Sequence, residues 1–551
     1  MRTLHYAAVA IICCSGGASA QSLRPYQPAI DVLDYAFVLS LPDTGSHIRG
    51  DAMITFRRTG RTDTLVLDLR QLRVTRVLFE RRVRRYRRTD STIHIPLPRG
   101  DTGTYVVNVV YDGPVTDGLI VRRDSARRWT YFGDNWPNRA RYWLPTVDHP
   151  SDKATVTWSV SAPAGRTIVA NGAQFERRVT GTGARARAIT RWRESKPIPT
   201  YLMVIAAAPL VRHNLGQTAC GFAEIARCVP QQVYTAPEQR RAAPGNFARA
   251  GEMVRHFAQR VGPYPYEKLA HLQSATRFGG MENASAIFYN DRDFRRDGVG
   301  ERLIAHETAH QWFGNSVTPR EWPHLWLSEG FATYWAALWA QHAHGDSAFR
   351  ASLTSVRNTI LANTNAVAKR PVIDTVETEL LRLLNANSYQ KGGFVLHMLR
   401  NELGDSTFFT AVRDYYTRYK HGTAVTFDLQ TAFEKASGRE LTWFFDQWLR
   451  RPGYPELDVA WAVDSASNTI EIAVNQAPRF GTFQFELRLG LRDSAGTVRR
   501  IEVGIPAQDS TRLALPISGP VTSVEVDPDI QLLARTSVRR IGDPEPSRNP
   551  E

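Results

Sequence analysis

The pattern of hydrophobic and polar positions predicts a β-rich first part and a helical middle part. From Tyr35 to about Leu210, short stretches rich in β-branched residues are bounded by Gly, Pro and Asp, which is typical of strands. The clearest predicted strands are residues 74–79, 92–95, 105–110 and 154–160. From about Pro237 the apolar positions recur with a helical period, which predicts helices at residues 244–262, 299–312, 328–344 and 388–402.

Strands return after a helix-breaking segment at residues 450–455, which contains two prolines and a glycine. Alternating stretches at residues 457–463, 469–474 and 483–489, with turn residues between them, predict a small β-sandwich. We therefore expect an α+β, multidomain chain. Its parts are a signal segment at 1–20, a β domain at 21–212, a mostly helical domain at 213–452, a β-sandwich at 453–540 and a disordered tail at 541–551.

The first twenty residues have the features of a secretion signal. A basic start at Arg2 and an apolar stretch from Tyr6 to Cys14 precede the small residues Ala18 and Ala20, which fit a cleavage site before residue 21. The apolar stretch is too short to span a bilayer, and no later stretch reaches the ~18 apolar residues of a membrane helix. We expect an exported protein, periplasmic or extracellular, with no integral membrane segment after cleavage.

The formal net charge of +15 comes mainly from arginine. Such an excess can indicate nucleic acid, anionic lipid or polyanionic sugar as a partner. The densest basic run, residues 81–88, lies between two predicted strands, which favours a solvated strand edge instead. Export argues further against nucleic acid. Cys220 and Cys228 would remain after signal cleavage, either as a disulfide closing a small loop or as two buried thiols.

A five-residue motif carries the candidate chemistry. His306 and His310 are four positions apart on a predicted helix, so both imidazoles can face one metal ion. Glu329, nineteen positions further, can supply a third ligand from a second helix. Two His and one Glu leave one tetrahedral position open, which is typical of a catalytic Zn²⁺ site rather than a structural one. We expect one zinc ion.

The motif alone is only moderately specific, because two histidines one turn apart also occur as ordinary buried or capped residues. Its surroundings favour the metal. The apolar residues 303–305 and 312–313 predict a largely buried helix, and buried His and Glu side chains need partners. Glu307 lies close to the same face without being a ligand, so it can accept and return a proton as general acid–base.

Further segments complete a resemblance to the aminopeptidase N family of zinc metallopeptidases, which belongs to the gluzincin group. The matching segments, in family order, are 196–202, 279–283, 306–329, 389–392 and 448–453. The resemblance covers about residues 30–535. It implies an N-terminal β saddle domain, a thermolysin-like catalytic domain and a C-terminal β-sandwich, with peptides as substrates. It also nominates Tyr389 as the phenol donor that stabilises the oxyanion.

The segment Gly279, Gly280, Met281, Glu282 and Asn283 resembles the family's substrate-binding stretch. Glu282 suits the anion that grips the free α-ammonium of a peptide, and two glycines permit close approach of a peptide backbone.

One position departs from the family pattern. Trp136 stands where the first domain usually offers a second amine-binding Gln or Glu. Asp134 or Asn135 could substitute for that residue, or Trp136 could form a wall of the first-residue pocket.

Three functions remain to be compared. The resemblance favours an exported aminopeptidase, and residues 279–283 disfavour an endopeptidase with the same zinc site. A non-catalytic peptide-binding protein would usually have lost part of the set His306, Glu307, His310, Glu329 and Tyr389, all of which are present. The oligomeric state and the preferred first residue are not predicted.

Overall fold

The structure is a computed structural model that describes residues 26–100, 102–218, 228–241, 243–295 and 298–542. Three predictions fall wholly or partly outside these residues. They are the signal segment at 1–20, the pairing of Cys220 with Cys228, and the tail beyond residue 542.

The first part of the chain consists of strands, as the alternating pattern predicts. Its main sheet has eight strands in the order β13-β14-β11-β1-β2-β8-β4-β5. In β11 every second residue is buried, so the sheet has one covered face. The strands of this part are β1 (Ile30–Ser40), β2 (His47–Arg58), β3 (Thr64–Asp68), β4 (Arg73–Phe79), β5 (Arg82–Val83), β6 (Arg87–Arg88), β7 (Thr92–Pro96), β8 (Gly103–Pro114), β9 (Leu119–Arg123), β10 (Trp129–Gly133), β11 (Lys153–Pro163), β12 (Thr167–Ala170), β13 (Ala173–Thr180), β14 (Arg187–Pro199) and β15 (Ile205–Ala208).

Two smaller sheets complete this part, in the orders β12-β15-β10-β9 and β3-β7-β6. The basic run at residues 81–88 supplies β5 and β6, each of which is the last strand of its sheet. Most of its residues are exposed, so the prediction of a solvated strand edge is confirmed.

The middle part combines helices with a five-stranded sheet in the order β16-β17-β18-β20-β19. Its strands are β16 (Val211–Thr218), β17 (Val229–Thr235), β18 (Leu269–Ser274), β19 (Gly280–Met281) and β20 (Ala286–Asn290), with the short pair β21 (Thr318–Pro319) and β22 (Thr423–Ala424). The helices are α1 (Ala243–Asn246), α2 (Ala250–Val261), α3 (Asp291–Arg295), α4 (Glu301–His310), α5 (Trp326–His344), α6 (Asp346–Ala362), α7 (Ala366–Lys369), α8 (Gly392–Leu403), α9 (Asp405–Tyr419), α10 (Thr426–Ser437) and α11 (Thr442–Phe445).

Two predicted helices differ from those observed. The helix predicted at 244–262 is interrupted at residues 247–249, between α1 and α2. The interruption directly follows Gly245 and Asn246, whose weak helix propensity favours an end of α1 there. The helix predicted at 388–402 begins with a π-helical turn, Asn387–Lys391, before α8. Among the described residues, no helix has both the length and the apolar character needed to cross a membrane.

The C-terminal part contains two sheets, in the orders β27-β24-β23-β29 and β26-β25-β28, which confirms the predicted β-sheet region after the breaker. The strands are β23 (Glu456–Asp464), β24 (Thr469–Gln476), β25 (Phe485–Asp493), β26 (Val498–Ile505), β27 (Ser510–Pro516), β28 (Val521–Val526) and β29 (Arg535–Arg540).

Buried polar contacts join the first β region to the helical region. Nζ of Lys153 in β11 donates to the carbonyl oxygens of Asn315, Ser316 and Gly422 at 2.8–3.0 Å. The Tyr201 hydroxyl donates to the carbonyl of Gly314 at 3.0 Å. Gly314, Asn315 and Ser316 lie in the turn that follows α4, whereas Gly422 directly precedes β22. The β region therefore supports the helix that carries the metal motif.

Candidate zinc centre

Two helices bring the predicted metal ligands together. His306 and His310 lie one turn apart on α4, and Glu329 lies in the first turn of α5, which packs against α4. The two Nε2 atoms are 3.0 Å apart. Oε2 of Glu329 lies 3.3 Å from Nε2 of His306 and 3.2 Å from Nε2 of His310. The three side chains therefore converge on one point.

Neighbouring groups fix the orientation of His310. Its Nδ1 lies 3.1 Å from the carbonyl oxygen of Phe313 and 3.0 Å from Oγ of Ser328. A proton on Nδ1 satisfies the carbonyl and leaves the Nε2 lone pair free for a metal. Gly314 has a φ of +107°, and a Cβ there would lie 2.1 Å from Oγ of Ser328. A glycine is required at this turn to allow the contact.

The donor set fits a zinc ion. Oε2 of Glu329 is buried and has no hydrogen-bond donor among the described residues. Burial alone would lower the pKa of His310, but the nearby carboxylates of Glu329, Glu282 and Glu307 raise it to about 10. Burial alone would raise the pKa of Glu329, but His310 and His306 lower it to about 2. The carboxylates of Glu329, Glu282 and Glu307 therefore stabilise a positive charge between these side chains. Two His and one Glu are also ligands typical of Zn²⁺.

Glu307 points into the same space from α4. It is buried, and its Oε2 has no hydrogen-bond partner among the described residues. Burial raises its pKa well above the usual range, while His310 lowers it and the carboxylates of Glu282 and Glu329 raise it further. An unpaired carboxylate whose protonated form is stabilised beside a metal site is suited to proton transfer.

Tyr389 lies beside His306, in the π-helical turn before α8. Its ring is stacked on the His306 imidazole, with ring centroids 6.0 Å apart. Close packing of α5 on α8 positions the turn, since a Cβ on Gly330 would lie 2.8 Å from the backbone of Gly392. Burial, followed by the charges of Glu329 and Glu282, raises the Tyr389 pKa well above its usual value. The phenol therefore stays protonated and remains a donor.

Glu282 follows β19 and lies at the end of α4. Its backbone carbonyl accepts hydrogen bonds from Nε2 of Gln311 at 2.8 Å and Nδ2 of Asn315 at 2.6 Å. Its carboxylate is buried and has no Lys or Arg partner among the described residues. Burial raises its pKa to about 7, with His310 lowering it and Glu329 raising it.

These side chains share one cavity of about 520 Å³. Gly279, Gly280, Met281 and Glu282 line it, whereas Asn283 is fully buried and does not. The predicted substrate-binding stretch is thus only partly in contact with the cavity. The remaining lining residues are not among the predicted site residues. They are Phe278, Gly300, Arg302, Leu303, Thr333, Leu384 and Gln390. Most lie next to a motif in sequence, but no motif of their own marks them.

The structure decides between the alternatives at position 136. Trp136 lines the cavity and contacts Phe278 and Trp322, with ring centroids 6.1 and 5.4 Å apart. Asp134 and Asn135 are fully buried and do not line it.

Asp134 and Asn135, the two residues before Trp136, both make structural contacts. Asp134 is paired with Arg139 at 3.0 Å, and the Asn135 amide donates to backbone carbonyls of Thr200 and Met203. Neither residue is available to replace the family's second amine anchor.

Comparison with known proteins gives the family. The Peptidase M1 N-terminal domain matches residues 32–202, and the Peptidase family M1 domain matches residues 249–448. This chain belongs to the M1 peptidase family. Glutamyl aminopeptidase of Homo sapiens is 27% identical over 456 residues, which cover 74% of this chain and 45% of the human protein. Probable aminopeptidase 1 of Saccharolobus solfataricus is 28% identical over 341 residues, which cover 58% of this chain and 41% of that protein.

This M1 chain spans about half the length of the curated relatives it matches. Solved M1 structures are similar over more of their length. The M1 zinc metallopeptidase from Deinococcus radiodurans is 26% identical with a TM-score of 0.66, covering 78% of this chain and 95% of that one. A mutant of that enzyme bound to the substrate Tyr-Ser-Ala gives 27% identity and a TM-score of 0.67, covering 77% of this chain and 95% of that one. The M1 fold and the zinc cofactor predicted from the sequence are confirmed.

Proposed function

We propose that this chain is a zinc aminopeptidase that removes the first residue from peptides. One observation carries the proposal. The unpaired Glu282 carboxylate lies in the same cavity as His306, His310 and Glu329. A buried carboxylate can hold the free α-ammonium of a peptide at a fixed place relative to the metal site. A bond next to that ammonium is then the one presented for cleavage. The aminopeptidases among the relatives and the substrate-bound structure support the proposal.

His306, His310 and Glu329 would hold the zinc ion, which supplies a Lewis acid that acidifies water and polarises a carbonyl. Glu307 accepts the proton of the attacking water at its unpaired Oε2 and returns it to the leaving amine. The Tyr389 hydroxyl donates to the oxygen that gains negative charge. Glu282 keeps the ammonium in place throughout.

Strand β19 provides the backbone contact for the substrate. It is the last strand of its sheet, and its ladder partner is β20, with Gly280 opposite Tyr289. The free edge can therefore pair with an extended peptide. A Cβ on Gly280 would lie 2.2 Å from Oε1 of Glu307. Gly280 thus allows the edge of β19 to lie directly beside Glu307, the residue that accepts the proton.

The test is hydrolysis of an aminoacyl-coumarin by purified protein, with bound zinc measured in the same sample. We expect activity that is lost on chelation and restored by zinc. A peptide with a free amine should be cleaved and its N-acetylated form should not. Cleavage of both forms would indicate an endopeptidase. Stoichiometric zinc without hydrolysis of any peptide would indicate a non-catalytic binding protein.

Export to the periplasm or to the outside of the cell is part of the proposal. Its support is the sequence of residues 1–20. Expression of the full chain in a secreting bacterial host, followed by N-terminal sequencing, tests it. A mature chain that begins at residue 21 supports export, and a retained residue 1 in the cytosolic fraction contradicts it.

A further inference from the structure

We propose that Arg302 binds a substrate carboxylate on the leaving-group side of the scissile bond. The carboxylate is either the free C-terminus of a short peptide or an acidic side chain at the same place. This inference rests on the proposed aminopeptidase function and specifies which peptides suit the site.

Strand β19 is aligned with helix α4. A Cβ on Gly279 would lie 3.8 Å from Cδ2 of Leu303, and one on Gly280 would lie 2.2 Å from Oε1 of Glu307. The carbonyl of Glu282 accepts a hydrogen bond from Gln311. Residues 279 to 282 therefore run beside residues 303 to 311 in the same direction.

This alignment sets the direction of a bound peptide. Its ammonium lies at Glu282, near the C-terminal end of α4. Its scissile carbonyl must reach the proton-transfer group Glu307, which lies beside Gly280. The residues that follow the scissile bond therefore continue toward Gly279 and Leu303. Arg302 lies at this end of the cavity and lines it.

The distance between His306 and Arg302 along α4 matches the length of a short peptide. Arg302 precedes His306 by four residues, so it lies on the same face, about 6 Å further along α4. An extended peptide advances about 3.3 Å per residue. Two residues after the scissile bond thus bring a C-terminal carboxylate to the level of Arg302, which corresponds to a tripeptide.

The charges of the cavity favour the same orientation. Its charged lining groups other than histidine are the carboxylates of Glu282, Glu307 and Glu329, together with Arg302. Arg302 is exposed at the cavity surface. Its guanidinium has no hydrogen bond or ion pair among the described residues. A short peptide carries an ammonium at one end and a carboxylate at the other, which matches acidic groups at one end of the cavity and an arginine at the other.

The experiment compares three tripeptides. The first is Phe-Ala-Ala with a free C-terminus, the second is its C-terminal amide, and the third is the amide of Phe-Ala-Glu. The wild-type chain should cleave the first about tenfold more efficiently than the second, because an ionic hydrogen bond is lost in the amide. Equal efficiency on the third and the first would identify any carboxylate at that place as the ligand. A third peptide no better than the second would assign the site to the C-terminus itself.

Arg302→Gln should reduce the ratio of cleavage efficiency on the first peptide to that on the second to about one. Arg302→Lys should keep part of this preference. Arg255→Gln is the matched control, because Arg255 is exposed on α2 and does not line the cavity. An unchanged ratio in Arg302→Gln overturns the inference.

A binding measurement separates this inference from the proposed function. In a Glu307→Gln background, calorimetry gives Kd for the intact acid and amide, with and without Arg302→Gln. A difference in Kd between acid and amide that vanishes with Arg302→Gln supports the carboxylate site even when no peptide is cleaved. Failure to hydrolyse aminoacyl-coumarin contradicts the proposed function, whereas equal Kd values for acid and amide contradict the role of Arg302.

Discussion

Gly280 and Glu307 approach so closely that no side chain fits between them. A Cβ atom built on Gly280 would lie 2.2 Å from Oε1, 2.4 Å from Cδ and 2.6 Å from Cγ of Glu307. All three atoms belong to the side chain that we assign to proton transfer. The edge of the five-stranded sheet and the metal-binding helix are therefore in contact through a glycine.

Gly280→Ala should displace the Glu307 carboxylate and lower kcat by about tenfold or more, because proton transfer depends on its position. Zinc content should not change, since the ligands are untouched. The matched variant is Gly279→Ala, whose Cβ would lie 3.8 Å from Leu303, an ordinary contact. Its loss of activity should be clearly smaller. Equal losses in the two variants would show that the close approach to Glu307 has no catalytic consequence.

His310→Ala should reduce both zinc content and activity, because two remaining ligands hold the ion weakly. Metal analysis after dialysis checks this. His342→Ala provides the control, since His342 lies on α5 in an exposed pair with Glu252. Full zinc occupancy in His310→Ala would mean that the ligand set is wrongly assigned.

The ligand set and the order of the three regions can be predicted from the sequence, because both depend on local spacing. His306 and His310 are one turn apart on any helix, and alternation in residues 154–160 is enough to identify β11. The end of α1 at Asn246 depends on the local helix propensity of Gly245 and Asn246, which the periodicity of apolar residues does not reveal. The places of Trp136 and Arg302 depend on packing between distant segments. Trp136 comes from the first β region, yet it contacts Trp322, which lies just before α5. No local pattern contains that contact.

Tyr389→Phe should lower kcat by about 10²-fold and change KM little, because the hydroxyl acts on charge that develops during the reaction. Steady-state kinetics on an aminoacyl-coumarin measure both constants. Tyr86→Phe, in the first β region, is the control, since its hydroxyl donates to the carbonyl of Val74 far from the metal site in sequence. A rise in KM with normal kcat would instead assign Tyr389 to substrate binding.

Trp136→Gln should weaken any preference for large apolar first residues by about tenfold, since an aromatic wall is replaced by a shorter polar side chain. Gln is also a residue that the family usually carries at this position, so we expect the introduced amide to add a contact to the ammonium at the same time. A panel of aminoacyl-coumarins, from Ala to Phe, separates the two effects. A preference profile identical to that of the parent would exclude Trp136 as a wall of the first-residue pocket.

Glu307→Gln should retain zinc and lose hydrolysis by ~10² or more, because the amide cannot carry the proton. Glu301→Gln removes a carboxylate from the first turn of the same helix and serves as the control. Full activity in Glu307→Gln would remove this residue as the general base.

Glu282→Ala tests whether Glu282 recognises the free N-terminal ammonium of the substrate. Trp136 replaces the second anchor, and Asp134 and Asn135 do not line the cavity, so the ammonium depends on Glu282 more strongly than the family pattern implies. Loss of one partner of a buried charged hydrogen bond costs ~2–5 kcal/mol, so catalytic efficiency should fall by ~10² or more. Zinc content should stay the same, because the residue is not a ligand. Activities on the free-amine and N-acetylated forms of one peptide give the deciding ratio. If that ratio is the same in Glu282→Ala and in the parent, Glu282 does not recognise the N-terminus, and the aminopeptidase proposal loses the observation that carries it.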